Sequence, residues 1–186
     1  IEGDYLEFRL RRYLTFAEFK SELAPHFGLG LEGYATWTSP IRKYSDMVNH
    51  RLIKAELTQQ ACEKPQDEVL ARLQEARRQN RLVERDIADW LYCRYLADKV
   101  AENAEFDAEV QDVMRGGLRV QLLENGASMF VPASTLHPNK DEMQVNADEL
   151  ALYIQGERRY KIGDLVKVKL TEVREETRSI IGQLII

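Results

Sequence analysis

Leu118-Arg119-Val120-Gln121-Leu122 alternates one apolar with one polar side chain at every step, the period-two pattern of a strand with one face in a core. The alternation returns in Val166-Lys167-Val168-Lys169-Leu170, recurs with acids between Phe106, Ala108 and Val110, and is joined by the short apolar run Met129-Phe130-Val131. Glycines at 116, 117, 126 and 163 punctuate these segments, so the chain from 104 onward predicts short antiparallel strands. The register points Leu118, Val120, Leu122, Val166 and Val168 inward and Arg119, Gln121, Lys167 and Lys169 outward. Leu136 to Leu150, with Asp141, Glu142, Asp148 and Glu149, reads as an acidic connection between strands.

Five or so strands in about 80 residues suit a small closed barrel, of which the oligonucleotide-binding (OB) barrel is the commonest of that size. Basic residues on its outer face either follow a nucleic-acid backbone or form an ordinary soluble face.

Upstream of 104 the period becomes helical, so the fold class is α+β with a domain boundary expected at 103/104. Ile41, Tyr44, Val48, Leu52 and Ala55 recur at three- and four-residue steps, predicting a helix from Pro40 to about Leu57 with one buried face. A linker near Cys62 to Pro65 precedes a long charged helix, about Asp67 to Lys99, with Val69, Leu73, Ala76, Val83, Ile87 and Trp90 or Leu91 as its core stripe. Further upstream, Leu14 to Phe19 reads as helix, whereas Phe27-Gly28-Leu29-Gly30-Leu31 and Tyr34 to Trp37 read as extended chain. The aromatics of residues 5–20, interleaved with Arg9, Arg11 and Arg12, either stack bases or form a half-buried core with a basic edge.

Composition narrows the function. With 44% hydrophobic and 31% charged residues in 186, the chain matches a soluble globular protein. Its net charge is −5, and neither side of 103 is basic, with 16 basic and 17 acidic residues before it and 10 and 14 after. A polyanion site must therefore be a local groove. No run is long and apolar enough to span a membrane, no signal peptide opens the chain, and the missing initiator Met suggests a fragment. Cys62 and Cys93 have no paired spacing, which points to a reduced, cytoplasmic setting and away from zinc. His50 lacks partners at ligand spacing and reads as a structural or surface histidine.

The candidate chemistry lies in Thr38-Ser39-Pro40-Ile41-Arg42-Lys43-Tyr44-Ser45-Asp46. Hydroxyls followed by Pro mark a helix start. Two cations then stand where a helix dipole favours acids. Hydroxyls, cations and a helix N-terminus together make an anion site fit for phosphate. The alternative is a capped helix whose Arg42 and Lys43 face solvent or pair with Asp46.

His26-Phe27-Gly28-Leu29-Gly30-Leu31, Tyr34 to Tyr44 with Asp46, and Ala88-Asp89-Trp90-Leu91-Tyr92 resemble the last part of the RNB catalytic domain of the ribonuclease II family. Residues 104–186 resemble the S-one RNA-binding barrel that closes those enzymes. The resemblance implies a hydrolytic, processive exoribonuclease that degrades single-stranded RNA from the 3′ end, releases 5′-nucleoside monophosphates and uses magnesium held by clustered aspartates. It implies that Arg42 holds the scissile phosphate and that Glu84 touches the terminal nucleotide or positions Arg42. Lys43, Tyr44, Arg119, Lys167, Lys169 and Arg178 would contact RNA. No such aspartate cluster occurs in this chain, where Asp4 and Asp46 are isolated, so no metal ligand is assigned and the chain alone is expected to be inactive. Where many S-one barrels carry aromatics, this one has Gly116 and Arg119, and where they carry His it has Pro132. Single-stranded RNA is the expected partner, in a monomer, with no DNA or membrane.

The ribonuclease II branch is expected rather than RNase R, because no lysine-rich tail follows the barrel. The rivals are a non-catalytic RNA-binding protein with an RNB remnant, an RNase R-type paralogue, and a helical interaction domain fused to a barrel with no RNA role.

Overall fold

The computed structural model describes residue 10 and residues 13–185. The chain forms two compact units, Thr15–Val83 and a second that includes Glu84–Ile186.

In the second unit, five strands close a barrel in the order β1 (Glu105–Met114), β2 (Gly117–Leu122), β3 (Ser128–Pro132), β8 (Ser179–Leu184) and β7 (Leu165–Arg174). The expected alternation holds: Leu118, Val120, Leu122 and Val168 are fully buried, Val166 packs against them, and Arg119, Gln121 and Lys167 are exposed. The sheet is not wholly antiparallel, because β3 and β8 pair in parallel through Phe130 and Ile181. An odd number of strands in a closed ring cannot alternate direction at every step, so one parallel pair is unavoidable.

The acidic connection contains structure that alternation did not reveal. A three-stranded sheet, β4 (Met143–Asn146), β5 (Ala151–Ile154) and β6 (Glu157–Lys161), sits between β3 and β7 in sequence. Its β5–β6 turn is Gln155-Gly156, with φ of 55° and 81°, two left-handed residues that match the right-handed twist of a tight hairpin. Ala151, Leu152 and Ile154 are all buried, so β5 reads as a continuous apolar run. A one-turn helix, Ala133–Leu136, follows β3.

Two longer helices precede the barrel. Helix α1 is Tyr44–Leu57 and α2 is Asp67–Leu96. The end of α2 docks on the barrel: Cys93 and Leu96 join its core, and the Tyr92 hydroxyl donates to the Asn125 carbonyl at 2.9 Å. The predicted stripe is not buried, since Val69, Val83, Ile87, Trp90 and Leu91 are exposed. The buried face runs instead through Cys93 and Leu96, one turn beyond the stripe.

Within Thr15–Val83 the only fully buried side chain is charged, that of Asp46. On α1, Val48, Leu52 and Ala55 are half-buried while Tyr44 is exposed, and Ile41, on the turn before the helix, is exposed too. The expected helix at Leu14 to Phe19 is irregular chain, with Phe16 and Phe19 against the Arg81 and Arg77 guanidiniums at 5.8 and 5.5 Å. Those cation–π contacts exploit aromatic faces that a local helix would turn elsewhere. Phe16 is 80% exposed, so the half-buried core expected for this segment does not form at that position. Tyr5, Leu6, Phe8, Arg9, Arg11 and Arg12 lie outside the described residues. Phe27–Leu29 is a 3₁₀ turn rather than extended chain, closed by a bridge between His26 and Leu31. Gly30, at φ 62°, supplies the left-handed residue that ends it.

Candidate functional site

Arg42 sits on a tight turn just ahead of α1. The Ser39 carbonyl accepts from the backbone N–H groups of Arg42 at 3.3 Å and Lys43 at 2.9 Å. The helix therefore begins at Tyr44, with Lys43 as its extended N-cap, four residues later than the Pro40 start predicted. The two cations thus precede the first turn, and the acid in that turn is Asp46, as the helix dipole favours. Arg42 is exposed and makes no ion pair among the described residues. Lys43 and Tyr44 are exposed beside it.

Asp46 is fully buried. Its carboxylate accepts from the Ser39 backbone N–H at 2.9 Å and the Ser45 hydroxyl at 3.3 Å, and the Thr36 hydroxyl also donates to it. The Thr36 bond is the largest influence on its pKa; burial opposes it, and Ser39, Ser45 and the Lys43 charge join it, so the carboxyl stays below the usual carboxylate range. Three and four residues further on along the same helix face, Asn49 donates to the Thr36 carbonyl at 2.8 Å and His50 Nε2 bonds the Trp37 carbonyl at 2.9 Å. The His50 ring stacks on Trp37 at 3.6 Å and 10°. His50 is therefore structural, as its lack of ligand partners suggested.

Sequence reading included Asp46 in the candidate stretch but did not see that it is buried, and it missed Asn49 as part of the site. The available signal was the polar triplet Asp46, Asn49, His50 at i, i+3, i+4, which shares one helix face with no solvent reason to be polar.

Arg42 belongs to one compact unit and Glu84 to the other, where Glu84 is exposed on α2. On the barrel, the expected RNA-contacting residues differ in how free they are. Lys167 lies 3.9 Å from Asp107, and Lys169 stands opposite Glu105 in the β1–β7 register. Arg178 is held by Asp86 at 2.6 Å. Arg119 is exposed, forms no ion pair among the described residues, and stands opposite Asp112 on β1 and Phe130 on β3. Phe130 also reaches over Gly116, where a Cβ would sit 3.8 Å from Cζ of the ring. Phe130 thus brings an aromatic from β3 beside Gly116 on the β1–β2 turn.

No group of three or more His, Cys, Asp or Glu among the described residues could hold a metal ion. Asp46 does not fit that role either, since its oxygens already accept from three donors. No helix is long and apolar enough to cross a membrane.

Comparison with known proteins finds two family models along the chain. Residues 2–59 match the family model of the RNB domain, and residues 99–184 that of the S1 RNA binding domain. The chain is 85% identical over 185 residues to exoribonuclease 2 of Haemophilus influenzae, and 83% over 185 residues to that of Mannheimia succiniciproducens. Each match takes in 100% of this chain and 28% of the relative, so the chain spans little more than a quarter of these proteins. Among solved structures, RNase R of Mycoplasma genitalium bound to ribose-methylated single-stranded RNA superposes with a TM-score of 0.76 at 24% identity, over 95% of this chain and 28% of that one. Residues 2–59 therefore carry an RNB domain segment and residues 99–184 an S1 RNA binding domain, and over its own length the chain is 85% identical to exoribonuclease 2, of which it spans 28%.

Proposed function

We propose that this chain is the RNA-handling C-terminal portion of a hydrolytic, processive 3′ to 5′ exoribonuclease that acts on single-stranded RNA and releases 5′-nucleoside monophosphates. The observation that carries the reading is Arg42: an exposed guanidinium with no ion pair among the described residues, on a turn fixed at the N-terminus of α1. A guanidinium offers paired N–H donors that match two phosphate oxygens. With its backbone fixed on the turn, Arg42 is placed to stabilise charge that develops on the phosphate during hydrolysis. Lys43 and Tyr44 extend that contact along the RNA, and Glu84 acts at the terminal nucleotide.

Residues 104–186 form the RNA-binding domain, and 1–103 the end of the catalytic domain. Arg119 and Phe130 give the barrel a cation beside an aromatic face, a pairing that suits a backbone phosphate and a base. Lys167 and Arg178 are paired with acids and contribute less, while Lys169 adds a cation opposite Glu105. Magnesium is the metal this family implies, and the described residues do not fit it. The 85% identity to exoribonuclease 2 favours the ribonuclease II branch over RNase R. A cytoplasmic monomer that does not act on DNA completes the reading.

The test is digestion of 5′-labelled single-stranded RNA and DNA by the full-length protein. The reading expects stepwise shortening from the 3′ end of RNA alone, with 5′-mononucleotides as product. Internal cleavage products, or binding without shortening, would replace it with an endonuclease or a non-catalytic RNA-binding protein.

A further inference from the structure

We infer that Asp46 is a positioning residue for Arg42: its buried carboxylate, with Asn49 and His50 along the same face of α1, clamps residues 36–39 and so sets the turn that carries the guanidinium. The inference rests on the phosphate role proposed for Arg42.

A buried carboxylate is costly unless its oxygens are matched by donors. Here the donors come from the segment that leads into the turn. Thr36 and Ser39 both donate to Asp46, while Asn49 and His50 hold the carbonyls of Thr36 and Trp37. Thr36, Trp37 and Ser39, three of the four residues from 36 to 39, are therefore fixed to one helical face.

Ser39 is the link to Arg42. Its N–H donates to Asp46, and its carbonyl accepts from the backbone of Arg42 and Lys43. Pro40 follows, with its φ restricted by the ring. The path from the carboxylate to the Arg42 backbone thus passes through one residue with both polar groups engaged. Release of the Ser39 N–H frees the turn, and the Arg42 side chain moves with it. Misplacement of a reacting or stabilising group by about 1 Å can cost on the order of 100-fold in rate. Asp46 needs no contact with RNA to have this effect.

The experiment is a double-mutant cycle in the full-length protein, with single-turnover cleavage of a saturating single-stranded RNA as readout. Asp46→Ala is expected to lower the cleavage rate about 10- to 100-fold with little change in RNA affinity. Asp46→Asn, which keeps an acceptor for Ser39, should recover most of that loss. Combined with Arg42→Ala, Asp46→Ala should cost less than about twofold more, because residues that act through one another are not additive. Thr36→Val, which removes one donor and preserves shape, serves if Asp46→Ala does not fold; it should slow cleavage about 2- to 5-fold and be silent in the Arg42→Ala background.

Full multiplication of the Asp46 and Arg42 effects would overturn the inference while leaving Arg42 in its role. A lowered melting temperature with unchanged cleavage would do the same and make Asp46 a stability residue alone. If Arg42→Ala cleaves at the wild-type rate, the phosphate role falls and the positioning role falls with it.

Discussion

Gly117 offers the sharpest test of how the barrel is held. Its φ is +142°, outside the range an L-residue adopts comfortably, and a Cβ there would collide with the Val131 carbonyl oxygen and crowd the Ala133 nitrogen. These are backbone atoms of β3, the strand that β2 pairs with, and of the residue that follows it, so relief requires β2 and the end of β3 to part. For Gly117→Ala, strain at a glycine-only φ costs about 1–3 kcal/mol, and overpacking about 1–3 kcal/mol. The stiffer unfolded chain returns about 0.4–1 kcal/mol. The net destabilisation is about 2–5 kcal/mol, which for a unit of this size lowers Tm by roughly 10–30 °C. Gly156→Ala is the control: φ is +81° and nothing lies within 4 Å of its Cβ, so only the left-handed penalty of about 1–2 kcal/mol applies. Thermal unfolding by far-ultraviolet circular dichroism, with amide exchange followed at Val120 and Met129, measures both. Loss of protection at β2 and β3 should accompany the larger fall. A Gly117→Ala melt within about 3 °C of the Gly156→Ala melt would refute the close approach as the cause.

Other consequences follow from single contacts. Tyr92→Phe removes the bond to the Asn125 carbonyl and should destabilise the barrel unit by about 1 kcal/mol in a denaturant titration; no change would mean the contact adds nothing net. Cys62 is exposed and Cys93 buried, with burial first, then Asp89 and Glu175, pushing the Cys93 thiol up; one thiol should react with a disulfide reagent in the native protein and the second only after unfolding. Because the Asp46 pKa is lowered in the folded state, its stabilisation is complete above the unfolded value, about pH 4, and is lost as pH falls through the lower folded value. Melts of wild type and Asp46→Asn should therefore converge on acidification below about pH 4, and parallel curves would contradict the assignment. Arg119→Ala should weaken RNA binding and reduce its salt dependence by about one ion, whereas Lys167→Ala, beside Asp107, should do less.

The barrel was legible because strand alternation is local: Leu118 to Leu122 names its own inner face. The parallel β3–β8 pair was not, since it depends on how many strands close the ring, a count that no single strand carries. The β4–β6 sheet was hidden by acids at Asp141, Glu142, Asp148 and Glu149, which sit in its turns and approaches while Ala151 to Ile154 forms its buried strand. At the site, hydroxyls, proline and cations announced Arg42 correctly as a feature of a helix start. The boundary moved from Pro40 to Tyr44 because Ser39 and Asp46 close a turn before the helix. That bond joins residues seven apart through a buried charge, and charge patterns along the chain do not distinguish a buried acid from a solvated one.

The most direct test of the central claim is the single-turnover cleavage rate of Arg42→Ala in the full-length protein, measured beside its RNA dissociation constant. A guanidinium that stabilises developing charge predicts a rate loss of about 100-fold or more with affinity changed only a few-fold. Unchanged cleavage at saturating RNA, with weaker binding alone, would contradict it and reduce Arg42 to a docking cation.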